Sequence, residues 1–175
     1  IYQDFFPDDE VIVADAHQYL LDHFKEYDFI WSSPPCPSHS RIRKHTAVAR
    51  GQNKPIYPDM ALWQEIIFLQ GYFKGSYVVE NVIIWYEPLI EPVEIGSHYY
   101  WTNFSLTNQK FSKNREHNGK INSLSKRKGF ELDGYSGIDK KLALRNCVEP
   151  EVGLHILECA KGNYNYQQQS QTNLF

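Results

Sequence analysis

Short apolar runs alternate along the chain with longer segments in which apolar residues recur every three or four positions. Runs rich in β-branched and aromatic residues predict strands at residues 11–14, 27–31, 77–79 and 99–104. Helical spacing predicts helices at residues 16–27, from residue 58 to Gly75, and from Pro150 onward, where proline suits a first helical turn. Residues 1–7 resemble the last turn of a helix. This alternation predicts an α/β fold.

Composition limits the class of protein. A chain of 175 residues is long enough for one domain with its own core. Three cysteines, an odd number at irregular spacing, do not make a disulfide framework and suit a reducing, cytoplasmic compartment. No apolar run approaches the roughly 18 residues of a membrane span, so no membrane partner is expected. The net charge of −3 by itself argues against nucleic-acid binding. Net charge averages over the whole surface, however, and the distribution of charge matters more.

The first chemical candidate is Cys36, which follows the strand predicted at residues 27–31. Three prolines surround it and stiffen the backbone, as a loop that holds a nucleophile requires. Only the thiolate attacks, and we expect the basic residues that follow within ten positions to lower its pKa: Arg41, Arg43, Lys44 and His45. The alternative is a buried structural cysteine beside a proline turn.

A second motif, Glu80-Asn81-Val82, ends the next predicted strand. Pro-Pro-Cys after one strand and Glu-Asn-Val after the next, with a helix between them, resembles the DNA (cytosine-5) methyltransferase family. The resemblance implies a Rossmann-like, S-adenosylmethionine-dependent methyltransferase fold, with a mostly parallel sheet and helices on both faces. It also implies double-stranded DNA as substrate, S-adenosylmethionine as cofactor and S-adenosylhomocysteine as product.

The resemblance assigns catalytic roles to four residues. Cys36 would attack C6 of a flipped cytosine, and Glu80 would bind N3 and the exocyclic amine of the same ring. Asn81 would brace the two loops. The family has an arginine on the strand that follows, and here His98 is the nearest polar residue by position. A histidine can donate the same hydrogen bond, although a structural role is the alternative.

Cofactor-binding residues follow from the same resemblance. Asp15, after the first predicted strand, matches an acid that binds the adenine, although capping of the next helix is the commoner role. Asn146 and Val148 match the family's last motif, in which Arg145 replaces a glycine. Pro34 and Pro35 complete the set.

Two basic segments are candidates for DNA binding. Residues 38–57 carry five Lys or Arg and no acid, which suits a lid over a phosphate backbone, although a solvated loop is the alternative. Residues 107–141 form a basic, irregular insert that, by the resemblance, occupies the place of the family's target-recognition region; a flexible surface loop is the alternative. The expected nucleic-acid-binding residues are Ser38, Arg41, Arg43, Lys44, Lys126, Arg127 and Lys128. The catalytic domain would then comprise residues 1–106 and 142–162, followed by a Gln- and Asn-rich, disordered tail at 163–175.

The family's glycine-rich first motif is absent from this sequence, as is the acid that would bind the ribose. We expect a preceding segment or a partner chain to complete the cofactor site; an inactive relative is the alternative. An RNA cytosine-5 methyltransferase and a non-catalytic nucleic-acid-binding module also remain open. A zinc site built from Cys36, His39, His155 and Cys159 is weighed and set aside, because prolines interrupt the first pair, so no metal is expected.

Overall fold

Four strands form one mixed sheet in the computed structural model, which describes residues 1–41, 50–51, 56–107, 109–111 and 120–162. The strands are β1 (Phe29–Ser32), β2 (Ser76–Val82), β3 (Val93–Ile95) and β4 (His98–Thr102). The helices are α1 (Tyr2–Phe5), α2 (Ala16–His23), α3 (Ala61–Tyr72), α4 (Ile121–Lys128), α5 (Lys140–Asn146) and α6 (Pro150–Ala160). A short 3₁₀ turn, Phe24–Glu26, follows α2.

The strand order is β1-β2-β4-β3. β1 and β2 pair in parallel, whereas β4 runs antiparallel to both of its neighbours. The prediction of an α/β fold is therefore confirmed, but that of a mostly parallel sheet is wrong for the described strands. β3 was not predicted, and it reverses into β4 through a two-residue turn at Gly96-Ser97, where Gly96 has a φ of 63°. That reversal makes the last two strands antiparallel.

Helices cover both faces of the sheet because the side chains of β2 alternate between them. Tyr77 and Val79 face α3 and pack in a core with Trp63, Leu69 and Trp101. Val78 faces the opposite way and packs with Tyr100 of β4 and with Val152 and Ile156 of α6. The two clusters make a three-layer structure in which β2 is the central, most buried strand.

The parallel pair of strands begins at a close backbone contact. A Cβ on Gly75 would lie 2.2 Å from the carbonyl oxygen of Asp28, far inside van der Waals contact. That same carbonyl accepts a hydrogen bond from the Ser76 amide at 2.9 Å. Glycine is therefore required here by the spacing of β1 and β2, three residues after α3 ends.

The N-terminal segment differs from the prediction. Residues 11–14 form no strand, and Val13 is 97% exposed, because no described segment offers them a ladder to join. Asp15 caps α2 by accepting a hydrogen bond from the Gln18 amide at 2.9 Å, so the capping role is confirmed. None of residues 1–28 is buried, although Leu20 and Phe24 pack partly against the α3 cluster.

The segment predicted to be an irregular insert contains a helix, α4. A separate small core of Leu124, Leu132 and Leu144 joins it to α5. Asp139 caps α5 through the Leu142 amide, and Pro150 begins α6 as predicted. Residues 112–119 and the tail predicted to be disordered, 163–175, lie outside the described residues. Within the described part of the chain, no helix has the length and apolar character needed to cross a membrane.

Candidate active site

Sheet topology brings the predicted catalytic residues to one edge. Ser32, the last residue of β1, pairs with Val79, so the loop that carries Cys36 begins beside Glu80. Because β4 is antiparallel, its first residue, His98, pairs with Val82 at the same edge. The carboxyl ends of parallel strands are where open α/β sheets place ligands.

These residues line one cleft with a volume of about 530 Å³. One wall is the cysteine loop, a second is the end of β2 with the start of β4, and a third is the connection between α5 and α6. The lining residues that were predicted as site residues are Pro34, Pro35, Cys36, Glu80, Asn81, His98, Asn146 and Val148.

Asn81 connects two walls of this cleft. Its side chain is buried on the α3 side of β2, and its Nδ2 donates a hydrogen bond to the Pro34 carbonyl oxygen at 3.0 Å. Its Oδ1 accepts from the Val82 amide at 3.0 Å. The amide thus holds the cysteine loop at a fixed distance from the end of β2.

The cysteine loop is also held by its own turn and by the segment that follows β2. The Cys36 carbonyl accepts from the amides of His39 and Ser40, which closes a turn. The Trp85 indole donates to the Ser38 carbonyl at 3.0 Å, and a bridge joins Ser40 to Ile84. The loop therefore lies between β1 and the segment that follows β2, so its position depends on both strands.

Cys36 is half-buried at the cleft surface. Burial raises the pKa of its thiol above the ordinary value, and the negative charge of Glu80 raises it further. The expectation that following basic residues lower this pKa is therefore wrong for the described part of the loop. Arg41 directs its guanidinium Nε to the Ile84 carbonyl at 3.3 Å, while Arg43, Lys44 and His45 lie outside the described residues. In the unliganded cleft the thiol form is favoured.

Glu80 has two neighbours on β4. His98 Nε2 lies 3.5 Å from Glu80 Oε1. Tyr100 pairs directly with Glu80, and burial followed by the charges of Glu80 and Glu149 raises its phenol pKa. His98 therefore contacts the carboxylate that the resemblance assigns to base binding, in addition to lining the cleft itself.

The cofactor residues predicted from sequence are divided. Pro34, Pro35, Asn146 and Val148 line the cleft beside Cys36, where they could contact the methyl-bearing end of a donor. Asp15 is not among the cleft residues; it adjoins a separate apolar groove between α2 and β1. Four of the five predicted cofactor residues therefore lie at the cleft, and Asp15 does not.

The predicted DNA-binding residues are also divided. Ser38 is buried, and its hydroxyl accepts from the Asp59 amide at 3.0 Å. Lys128 is buried as well; its ammonium donates to the Cys147 carbonyl and lies 2.9 Å from Glu149 Oε1. Arg127 binds the same carboxylate at 3.1 Å. Ser38 and Lys128 are therefore structural residues, whereas Arg41 and Lys126 are exposed.

The four residues of the zinc alternative do not gather. His39 Nδ1 bonds to the Tyr86 hydroxyl at 2.6 Å, whereas His155 and Cys159, both on α6, contact the Thr107 hydroxyl. Among the described residues, no group of three or more His, Cys, Asp or Glu side chains is arranged to hold a metal ion.

Sequence reasoning missed several cleft residues: Leu142, Arg145, Cys147 and Tyr100. Arg145 was noted as a departure from the family's glycine, which is the one signal that pointed to it.

Comparison of the chain with protein-family models, with curated proteins and with solved structures finds no match.

Proposed function

We propose that this cleft binds a cytosine extruded from DNA and methylates its C5 through a covalent adduct with Cys36. The observation that carries the proposal is the convergence of Cys36 and Glu80, from two different strand ends, on one cleft of about 530 Å³, which is large enough for a nucleobase. A thiol nucleophile and a hydrogen-bonding carboxyl group are the two functions that activation of a pyrimidine at C6 requires. The Pro-Pro-Cys and Glu-Asn-Val motifs support the same assignment.

The chain's residues would act in sequence. The base leaves the stack at a cost of a few kcal/mol and enters beside Cys36. The Cys36 thiol loses its proton to solvent and adds to C6 as the thiolate. N3 takes up a proton that Glu80 hydrogen-bonds, and Glu80 also accepts from the exocyclic amine, so the ring holds the added electron pair as an enamine that is nucleophilic at C5. S-adenosylmethionine, held by Pro34, Pro35, Asn146 and Val148, would supply an electrophilic methyl group to C5. Loss of the C5 proton to solvent returns electrons to the ring and expels Cys36 as a thiolate, and the N3 proton leaves as the product forms.

The raised pKa of Cys36 makes proton removal part of the proposed reaction. Both causes of the increase, burial and the nearby Glu80 charge, favour the neutral thiol before substrate enters. A base that fills the cleft and occupies the Glu80 carboxyl group would weaken the second cause. The proposed reaction therefore couples base binding to activation of the nucleophile, in a cytoplasmic, reducing compartment where the thiol stays free.

A second candidate is a nucleic-acid-binding module without catalysis. The observations that favour it are the raised pKa of Cys36 and the position of Asp15 away from the cleft. Both candidates share the base-binding cleft and the exposed basic residues, but they differ in whether a covalent adduct forms. For the methyltransferase, a segment or a partner chain beyond the described residues would complete the methyl-donor site, which the non-catalytic module does not need.

DNA carrying 5-fluorocytosine separates these candidates, because fluorine at C5 blocks the final elimination. With S-adenosylmethionine present, together with the segment or partner that completes its site, we expect a denaturant-resistant complex that Cys36→Ser abolishes. Cys147→Ser is the matched control, since Cys147 is a second half-buried thiol on the same cleft. Trapping that survives Cys36→Ser contradicts the assignment of the nucleophile. Binding without trapping supports the non-catalytic module, and trapping of 5-fluorocytidine RNA alone would change the substrate to RNA.

A further inference from the structure

Arg145 places a cation in the cleft at a position where the resembled family has glycine. It lies in α5, near the end of the helix, and lines the same cleft as Cys36 and Glu80. Among the described residues that line the cleft, it is the sole Lys or Arg. The simplest explanation for a cation here is its favourable interaction with the helix C-terminus, which needs no ligand. That explanation does not account for its place in the cleft wall.

The guanidinium has no internal partner in the described part of the chain. No ion pair or hydrogen bond there involves the Arg145 side chain. The acids near this wall are already engaged, since Glu149 binds Arg127 and Lys128. Glu80 has His98 beside it. Arg145 is therefore available to an anion that enters with a ligand.

The backbone that carries Arg145 is held firmly. The preceding residue, Leu144, is fully buried in the small core with Leu124 and Leu132. Two residues later, the Cys147 carbonyl accepts a hydrogen bond from the buried Lys128 ammonium. The cation is thus presented from a fixed wall, which reduces the entropy lost when it binds a ligand.

We propose that Arg145 is a positioning residue that binds a backbone phosphate flanking the cytosine in the cleft. This inference rests on the proposed function, since a base that leaves the stack brings its flanking phosphates to the cleft mouth. A guanidinium presents a planar fork of donors that fits two phosphate oxygens. The contact would hold the nucleotide while Glu80 binds its base edge and Cys36 attacks.

The test is binding of a single-stranded oligonucleotide that contains one cytosine. A second oligonucleotide has neutral methylphosphonate linkages on both sides of that cytosine. Fluorescence anisotropy gives the Kd of each for the parent, Arg145→Ala, Arg145→Lys and the control Lys74→Ala, an exposed cation outside the cleft lining. We expect phosphate neutralisation to weaken binding to the parent about tenfold, equivalent to about 1.4 kcal/mol. Arg145→Ala should lose about tenfold on the natural oligonucleotide and nothing further on the neutral one.

Arg145→Lys should recover part of the loss, and Lys74→Ala should behave as the parent does. Additive losses from the substitution and from the neutral linkages overturn the inference. If Arg145→Ala instead weakens binding of labelled S-adenosylhomocysteine, the guanidinium binds the donor's carboxylate and the phosphate assignment is wrong. Replacing the cytosine by thymine tests the function separately. If the losses are additive but binding still prefers cytosine and that preference depends on Glu80, the inference about Arg145 is wrong and the proposed function stands. If binding shows no cytosine preference, or if the protein does not bind the oligonucleotide, both the inference and the proposed function are wrong.

Discussion

The side-chain amide of Asn81 donates a hydrogen bond at 3.0 Å to the carbonyl oxygen of Pro34, which lies 47 residues earlier in the chain. This bond joins the loop after β1 to the end of β2, and those two elements carry Cys36 and Glu80. The relative position of the proposed nucleophile and its base-binding partner therefore depends on a residue that need not touch the substrate.

Asn81→Ala should lower the free energy of unfolding by about 2 kcal/mol, because it removes a buried amide and leaves the Pro34 carbonyl without its donor. It should also reduce the yield of the fluorocytosine adduct, since the cysteine loop loses its tie to β2. Urea unfolding measures the first effect. Asn146→Ala is the control, because Asn146 is exposed on the same cleft and its loss should leave stability unchanged. Equal losses of stability in both variants would contradict the bracing role. The adduct yield of Asn81→Ala is compared with that of the parent alone, because Asn146 lines the proposed methyl-donor site.

Alkylation of Cys36 should require a higher pH than alkylation of a free cysteine peptide, because burial and Glu80 both disfavour the thiolate. Glu80→Gln removes the smaller cause, so the midpoint should move down while remaining above that of the peptide. Peptide mapping after iodoacetamide treatment at a series of pH values gives the rate for each thiol. Cys147 is the internal control: burial raises its pKa too, but its charged neighbours are Lys128 and Glu149, so Glu80→Gln should not move it.

Gly75→Ala should destabilise the protein by about 2 kcal/mol or more, since the new methyl group would overlap the Asp28 carbonyl. Gly71→Ala makes the same chemical change in α3, where a Cβ would meet nothing within 4 Å. It should stabilise by roughly 0.5–1 kcal/mol through helix propensity and a less flexible unfolded chain. Thermal unfolding of the pair measures the difference, and effects of the same sign would refute the close-contact explanation.

Lys128→Met should cost about 2–3 kcal/mol of stability, because Glu149 loses a cation and the Cys147 carbonyl loses its donor. Lys126→Met, two residues earlier, removes an exposed charge and should leave stability unchanged. If α4 contacts DNA, Lys126→Met should instead lower the salt dependence of binding by about one unit of slope. If Lys128→Met is as stable as the parent and lowers the salt dependence of DNA binding, Lys128 contacts DNA and its structural role is wrong.

The local pattern of apolar residues was sufficient to predict the elements whose buried side chains recur with the period of a strand or a helix. β1, β2 and the apolar spacing of α3 were visible because each contributes buried positions at its own period. The meeting of Cys36 and Glu80 at one edge followed from the parallel pairing of two successive strands. His98 lies at the same edge for a different reason, because β4 runs antiparallel to β2. No residue pattern within β4 predicts that direction.

The predictions that were wrong or missing concern elements whose deciding contacts are made by residues far away in the sequence. α4 has few apolar residues, and its buried Leu124 finds its partners at Leu132 and Leu144. The burial of Lys128 depends on Glu149, which lies 21 residues further along. Residues 11–14 have strand-like composition, but a strand also needs a neighbouring ladder, and the described chain provides none. The turn at Gly96-Ser97 was the available signal for β3.

The absence of any buried residue among residues 1–28 has an energetic consequence. Segments that bury little apolar surface open locally at a free energy far below that of global unfolding. Backbone amides of α2 should therefore exchange with deuterium well before those of β2, whose side chains hold both halves of the core together. The first 28 residues, which contact the α3 cluster through the partly buried Leu20 and Phe24, should therefore open before the sheet, α3 and α6 unfold.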